Sequence, residues 1–419
     1  MSAITAGNAE AEQTTIDLDD FGESFVRLAL ALGEHDADYV DAYHGPESWR
    51  AEARNTGKDL ETIIAEADSQ ASRLLSVPTG DAASDRRKTF LLKQFQSLRD
   101  RARIISGATL PFDQESQALY DAVAPAHPAN YYSAFLSELE QMLPGGGPLH
   151  ARVKNFRNDF VIPAEKLDEV FKTAIAECRR RTLEHIALPE NENFVVEYVT
   201  DKAWSGYNWF QGNAQSLIQV NTDLPIVIER AIDLACHEGY PGHHVYNSLL
   251  EKNLLKDKGW QEFSVFPLFS PTGLIAEGSA NYGIEMVFSD EERYEFEQRV
   301  LFPMAGLDAN RVREYYRVEK LIGKLNYAGN DTARRYLDGQ IDAAAAAVEL
   351  QKYALMSPAR AAQRVKFIDK YRSYVINYNL GKDMVSAWVE RGTPTKEERW
   401  QRFETLLSQP TLPSQLQLD

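Results

Sequence analysis

Three of the eight histidines in this 419-residue chain fall within eight consecutive positions, His237-Glu238-Gly239-Tyr240-Pro241-Gly242-His243-His244. Imidazoles and a carboxylate this close together suit a zinc site: nitrogen ligands for a borderline cation, and an acid beside one of them to handle a proton. In a regular zinc-peptidase helix, His-Glu-x-x-His sets two imidazoles one turn apart and turns the glutamate toward the attacking water. Here the interval is longer. Leaving out two residues around Tyr240-Pro241 restores the pattern with His243, and leaving out three restores it with His244. Either version requires a bulge or break at Pro241, because proline lacks a backbone donor and clashes with the preceding turn. His243 is taken as the second ligand and His244 as a catalytic group, a substrate contact or proton donor.

A catalytic zinc keeps three protein ligands and one open position. The third ligand is predicted to be Glu277, which opens the helix-like run Glu277-Gly278-Ser279-Ala280-Asn281-Tyr282-Gly283-Ile284-Glu285. Glu285, two turns further on, is expected to hold a ligand imidazole in one tautomer. Glu238 is the predicted general base. A phenol would steady the oxyanion: Tyr371, Tyr374 and Tyr378 are the candidates, with Tyr371 taken as the donor. Arg360, Arg364 and Arg372 could grip a peptide carboxylate, since a guanidinium forks onto it with two parallel hydrogen bonds.

The elements that must carry these groups read as mostly helical. Ile228, Ile232 and Ala235 have helical spacing and put His237 and Glu238 on a buried helix. Phe21, Phe25, Leu28 and Leu32, with Asp19 or Asp20 as cap, predict a packing helix, as do Phe95, Leu98, Ala102 and Ile105, and Leu167, Phe171, Ala174 and Cys178. Strand signals occur in one place, Phe194 to Val199 and Leu217 to Val220, around Gly206 and Gly212. The strand ending at Gln219-Val220-Asn221 is expected to offer an open edge for an extended peptide. Trp204, Tyr207, Trp209 and Phe210 would line pockets there or pack the sheet.

Leu143 to Pro148 (L-P-G-G-G-P) is the strongest breaker. The predicted organisation is a disordered leader over 1–15, a helical lobe over 16–142 and a catalytic region over 149–419. Hydrophobic residues make up 44% of the chain and charged ones 26%, the proportions of a globular domain with a sizeable core. With 45 basic and 62 acidic side chains the net charge is −17, which argues against nucleic acid or an anionic membrane as partner. The expected partner is a peptide or small amide. The amino terminus shows no export signal, no apolar run is long enough to span a bilayer, and two cysteines make no disulfide framework, so a cytoplasmic location is expected.

The His237–His244 run, with Asn221-Thr222-Asp223 before it and Glu277-Gly278 after it, resembles the bacterial domain-of-unknown-function family 885, grouped with zincin-like metallopeptidases. Further matching pieces are Asp36 to Pro46 (D-A-D-Y-V-D-A-Y-H-G-P), Gly107 to Tyr120, and the tyrosine-rich stretch Tyr371 to Gly381. The resemblance implies a mainly α zincin-like fold, a large helical bundle with a deep cleft and one small β-sheet, acting as a zinc-dependent peptide hydrolase. Glu-Gly-Ser-Ala-Asn-Tyr departs from the aromatic that commonly follows Glu-Gly in that family. Two rivals stand beside this reading: a metal-dependent hydrolase or lyase acting on a small non-peptide amide, and a non-catalytic metal-binding module. Glu238 weighs against the latter, because a structural site needs no base.

Overall fold

A computed structural model describes residues 17–202 and 204–417. The leader expected over Met1 to Thr15 lies outside the described residues. The chain is mainly helical, as its periodicities predict. The first helix, Leu18–Gly33, is capped by Asp17 rather than Asp19 or Asp20: the Asp17 carboxylate accepts from the Asp19 amide at 3.2 Å. Its apolar face, with Phe21, Phe25 and Leu28, packs on Phe95 and Leu98 of the helix Ala82–Ile105.

That core also takes in Leu274, Val365, Ile368, Val375 and Leu380 from the carboxy-terminal half. The helices of the predicted amino-terminal lobe thus bury their apolar faces against carboxy-terminal helices. The breaker Leu143 to Pro148 joins the helices Ser133–Met142 and Leu149–Asn158, and Leu139, Leu143 and Val153 on either side of it share a small cluster with Val318 and Leu325.

Two small sheets are present where one is expected. β1 (Val40–Tyr43) pairs antiparallel with the distant strand β5 (Val265–Pro267). The other sheet has the order β2-β4-β3, with β2 (Asn193–Val199) parallel to β4 (Gln215–Asn221) and β3 (Gly206–Gly212) antiparallel to it. β4 is therefore the central strand. The open edge expected at Gln219-Val220-Asn221 is closed on both sides, and any free edges belong to β2 and β3. The tight β3-β4 turn places Asn213 and Ala214 at positive φ, and both amides donate to the Glu251 carboxylate at 2.7 and 3.0 Å. That carboxylate ties the hairpin to the helical segment that follows the histidine run.

The helix Pro271–Val287 is buried nearly all round, as an apolar helix without a polar face must be. It crosses the helix Ile376–Glu390 at glycines: a Cβ on Gly278 would stand 2.4 Å from Gly381 backbone atoms, and one on Gly381 would stand 2.7 Å from the Leu274 carbonyl oxygen. The Glu277-Gly278 pair thus has a packing reason, since the residue after the carboxylate must be small for the two backbones to meet.

A candidate metal centre

The helix Glu229–Leu234 leads into a wider, π-type turn over Ala235–Gly239, and a new helix begins at His243. Ile228, Ile232 and Cys236 are fully buried beneath this segment. Between the two helices the chain breaks at Tyr240-Pro241-Gly242, with a cis bond before Pro241 and the Gly242 amide donating to the Cys236 carbonyl at 2.9 Å. A Cβ on Gly242 would lie 1.8 Å from the His237 carbonyl oxygen. Only glycine allows the second helix to start that close to the first. Gly283 of the helix Pro271–Val287 packs against Pro241, where a Cβ would meet its ring at 3.1 Å.

This break brings His237, His243 and Glu277 together. Each offers one ligand atom, all within 4.8 Å of one another. Nε2 of His237 is 3.5 Å and Nε2 of His243 3.9 Å from Oε2 of Glu277, and the two imidazole planes stand at 89° with centroids 4.7 Å apart. Tetrahedral zinc with bonds of about 2.0–2.1 Å separates its ligands by about 3.4 Å, so each pair needs to close by at most about 1.4 Å. Oε2 of Glu277 is buried and accepts no hydrogen bond among the described residues. A buried carboxylate oxygen left open and flanked by two imidazole nitrogens is a site that a divalent cation would satisfy.

The other Glu277 oxygen is held. Tyr374 donates its phenol proton to Oε1 at 2.9 Å. Against the desolvation of burial, the His237 contact and the charges of His243 and His237 keep the Glu277 carboxyl below the ordinary carboxylate range. His237 is raised, since its contact with Glu277 outweighs burial, while burial and the neighbouring His237 push His243 down to about 4. One imidazole is thus held neutral, the form that ligates a metal.

Glu238 is buried, and burial first, with Glu277 adding to it, raises its carboxyl to about 7. β3 makes room for it: a Cβ on Gly206 would lie 2.9 Å from Glu238 Oε1, and Asn208 donates its side-chain amide to the Glu238 carbonyl at 2.6 Å.

Other predicted residues are placed differently. His244 is completely buried and faces away from the cluster: Nδ1 lies 2.9 Å from Ser216 Oγ and Nε2 3.1 Å from Glu192 Oε2. Both ring nitrogens are occupied within the protein, which removes the expected substrate or proton-donor role. Glu285 is solvent-exposed and pairs with Lys382 at 2.6 Å, so it supports no ligand imidazole. Arg372 is taken by Glu115, whose Oε2 lies 2.6 Å from its Nε. Tyr371 packs on Phe367 and Phe269, one ring beyond Tyr374, with centroids 6.1 Å apart. The tyrosine that touches a carboxylate is instead Tyr374, and Tyr378 packs on its ring with centroids 5.8 Å apart; burial, then the charge of Glu277, holds the Tyr378 phenol well above the usual range. That phenol makes no hydrogen bond to the described residues.

Sequence reasoning assigned no role to Asp41. It sits on β1, where Tyr207 of β3 donates a hydrogen bond to it, and burial followed by the charge of Glu277 raises its carboxyl to about 6. The only signal for it was its position in the Asp36–Pro46 stretch. Trp204, Tyr207 and Trp209 stack in sequence, with centroids 5.5 and 4.5 Å apart.

No protein-family model matches the chain. A search of curated proteins returns no match. Among solved structures, a candidate lipoprotein from Colwellia psychrerythraea superposes with a TM-score of 0.52 at 12% identity, covering 97% of this chain and 76% of its own. A candidate lipoprotein of unknown function from Shewanella oneidensis gives a TM-score of 0.47 at 13% identity, with 97% and 79% covered. No helix among the described residues is long and apolar enough to cross a membrane. The chain is a mainly helical protein that shares its overall fold with the Colwellia protein.

Proposed function

We propose that the chain is a zincin-like, zinc-dependent hydrolase of amide bonds in peptides, as its resemblance to family 885 implies. The observation that carries this reading is the meeting of His237, His243 and the unpartnered Glu277 Oε2 at one point, with Glu238 adjacent in the chain. A zinc ion held there would supply Lewis acidity, lowering the pKa of water and polarising a carbonyl.

The remaining work falls to the chain's own groups. The Glu238 carboxylate, which makes no hydrogen bond of its own among the described residues, takes a proton from the attacking water and returns it to the leaving amine nitrogen. The Tyr378 phenol, protonated and without a protein acceptor, donates to the oxyanion as it develops. Tyr374 fixes the Glu277 carboxylate so that Oε2 stays turned toward the imidazoles. A cytoplasmic location remains part of this reading.

The test is a peptide-library digest read by mass spectrometry. Zinc-loaded protein should cleave peptides, chelator should abolish cleavage, and Glu238→Gln should bind zinc without cleaving. Absence of cleavage by the zinc-loaded wild type, or full activity in the Glu238 variant, would contradict the reading.

A further inference from the structure

Arginines set against the core of this protein are generally matched to acids. Arg87 forks onto Glu262 at 2.6 and 2.9 Å, Arg334 meets Asp113 and Asp331 at 2.9 and 3.0 Å, and Arg293 meets Asp233 and Glu297 at 2.9 and 3.0 Å. Arg364 is different. Its guanidinium lies over the Phe367 ring at 4.6 Å, its Nε is buried, and no hydrogen-bond acceptor or acid meets it among the described residues. Arg360, one turn earlier and exposed to solvent, also lacks an acid partner there. A partly buried cation without a counter-charge is costly to keep, and a guanidinium left open in this way presents its fork to an incoming anion.

The placement of this pair connects it to the metal centre. Arg360, Arg364, Phe367 and Tyr371 lie on the helix Pro358–Tyr371 at steps of four, three and four, which is one face. Along that face the Phe367 and Tyr371 rings pack at 4.7 Å, Tyr371 meets Tyr374 at 6.1 Å, and Tyr374 donates to Glu277. A continuous line of packed side chains thus runs from Arg364 to a predicted metal ligand. The charged group that Arg364 feels is Arg360, and Arg360 in turn feels Arg230 and Arg157. Arg157 and Arg230 have acid partners in Glu319 and Asp233, so in a chain of net charge −17 the uncompensated positive charge here is that of Arg364 and Arg360.

We infer that Arg364, assisted by Arg360, binds the carboxylate at the carboxy-terminal end of a peptide, so that the hydrolase acts close to a free carboxy terminus. This rests on the hydrolase reading above and specifies its substrate. Arg364 and Tyr371 are two turns apart, about 10 Å along the helix axis, and the Tyr374 ring that reaches Glu277 stands a further 6.1 Å from Tyr371. An extended peptide covers that path in about five residues, so the bond cleaved lies within the last few residues of the substrate.

The experiment uses the full chain loaded with zinc and one peptide prepared as free acid, as carboxy-terminal amide, and as the amino-acetylated free acid. Both free acids should be cut near the carboxy terminus, and the amide should lose at least about tenfold in kcat/KM, chiefly through KM, the scale expected for a charged hydrogen-bonded pair. Binding is read separately, by calorimetry on the silent Glu238→Gln variant. It should hold the free acid about tenfold tighter than the amide, and adding Arg364→Met should erase that difference while Arg364→Lys restores part of it. The acid-against-amide comparison needs no change at Arg364, so it decides the question even if that variant fails to fold. Cleavage indifferent to amidation, or equal binding of acid and amide, overturns the carboxylate subsite and leaves the hydrolase reading standing. Preferential binding of the free acid by a protein that never cleaves it supports the subsite and removes the hydrolase reading.

Discussion

The Tyr374 phenol donates to Oε1 of Glu277 at 2.9 Å, and this leaves Oε2 as the oxygen facing His237 and His243. Tyr374 lies in the 3-10 turn Arg372–Val375 that leads into the helix Ile376–Glu390, and that helix touches the Glu277 helix at Gly278 and Gly381, so the carboxylate is aimed by helix packing as well as by its own rotamer.

Removing that donor should therefore weaken the metal site without dismantling it. Tyr374→Phe keeps the ring packing and frees Oε1. Zinc affinity should fall about 10- to 100-fold, the usual cost of losing a group that orients a ligand. Competition titration against a chromophoric chelator measures this, and an unchanged affinity would show that Glu277 needs no such support.

The adjacent histidines should behave as opposites. His243→Ala should abolish zinc binding with modest loss of stability. His244→Ala should retain zinc but lose about 3 kcal/mol of stability, because it leaves Glu192 partly unsatisfied in a buried network with Tyr240 and Arg179. Urea unfolding paired with zinc analysis of each variant separates the two, and loss of zinc in the His244 variant alone would reverse their assignment.

Gly242 should tolerate no side chain. The Cβ of Gly242→Ala would occupy the space of the His237 carbonyl oxygen, so the two helices must separate and the imidazoles with them. The variant should unfold about 3–5 °C lower, the shift that a loss of a few kcal/mol implies for a chain of this size, and should fail to bind zinc. Native stability with zinc retained would contradict the packing described at the break.

Asp41 supplies a pH dependence whose sign is fixed. Its folded-state carboxyl is raised from 3.8 to about 6, chiefly by burial. Between those values the folded chain binds more protons than the unfolded chain, so stability falls as pH rises through the window and levels off above about 6. Asp41→Asn keeps an acceptor for Tyr207 and removes the titration. In chelator-treated protein, the Tm of the variant relative to wild type should climb from about pH 4 to about pH 6 and then stay constant. Parallel curves would show that Asp41 does not titrate in that window.

Residue types and spacing made the core of the site legible: the His237-Glu238 pair, a break at Pro241 and a later Glu277 all follow from local chemistry. Which of two adjacent histidines turns inward was not legible by counting, because the π-type turn adds a residue that no helical template contains. Glu285 was misplaced for a simpler reason. Eight positions at about 100° each leave it roughly 80° around the helix from Glu277, on the side where Lys382 and solvent meet it.

Asp41, and the strand that carries Gly206 and Tyr207, were hidden because β1 finds its partner more than two hundred residues away and β3 was read as the gap between two strands. The glycines at its ends looked like breakers, whereas Gly206 is small so that the Glu238 carboxylate can lie against the strand. The Leu143–Pro148 breaker is a real interruption of helix, but the apolar cluster beneath it depends on side chains far away in sequence.

The central claim is that His237, His243 and Glu277 hold one zinc ion between them. Elemental analysis of the purified chain after zinc loading and desalting, for wild type and for His237→Ala, His243→Ala, Glu277→Gln and Glu238→Gln, tests it most directly. The account predicts one zinc per chain in wild type and in the Glu238 variant, and little or none in the other three. Zinc absent from wild type, or retained in full by the three ligand variants, would contradict it.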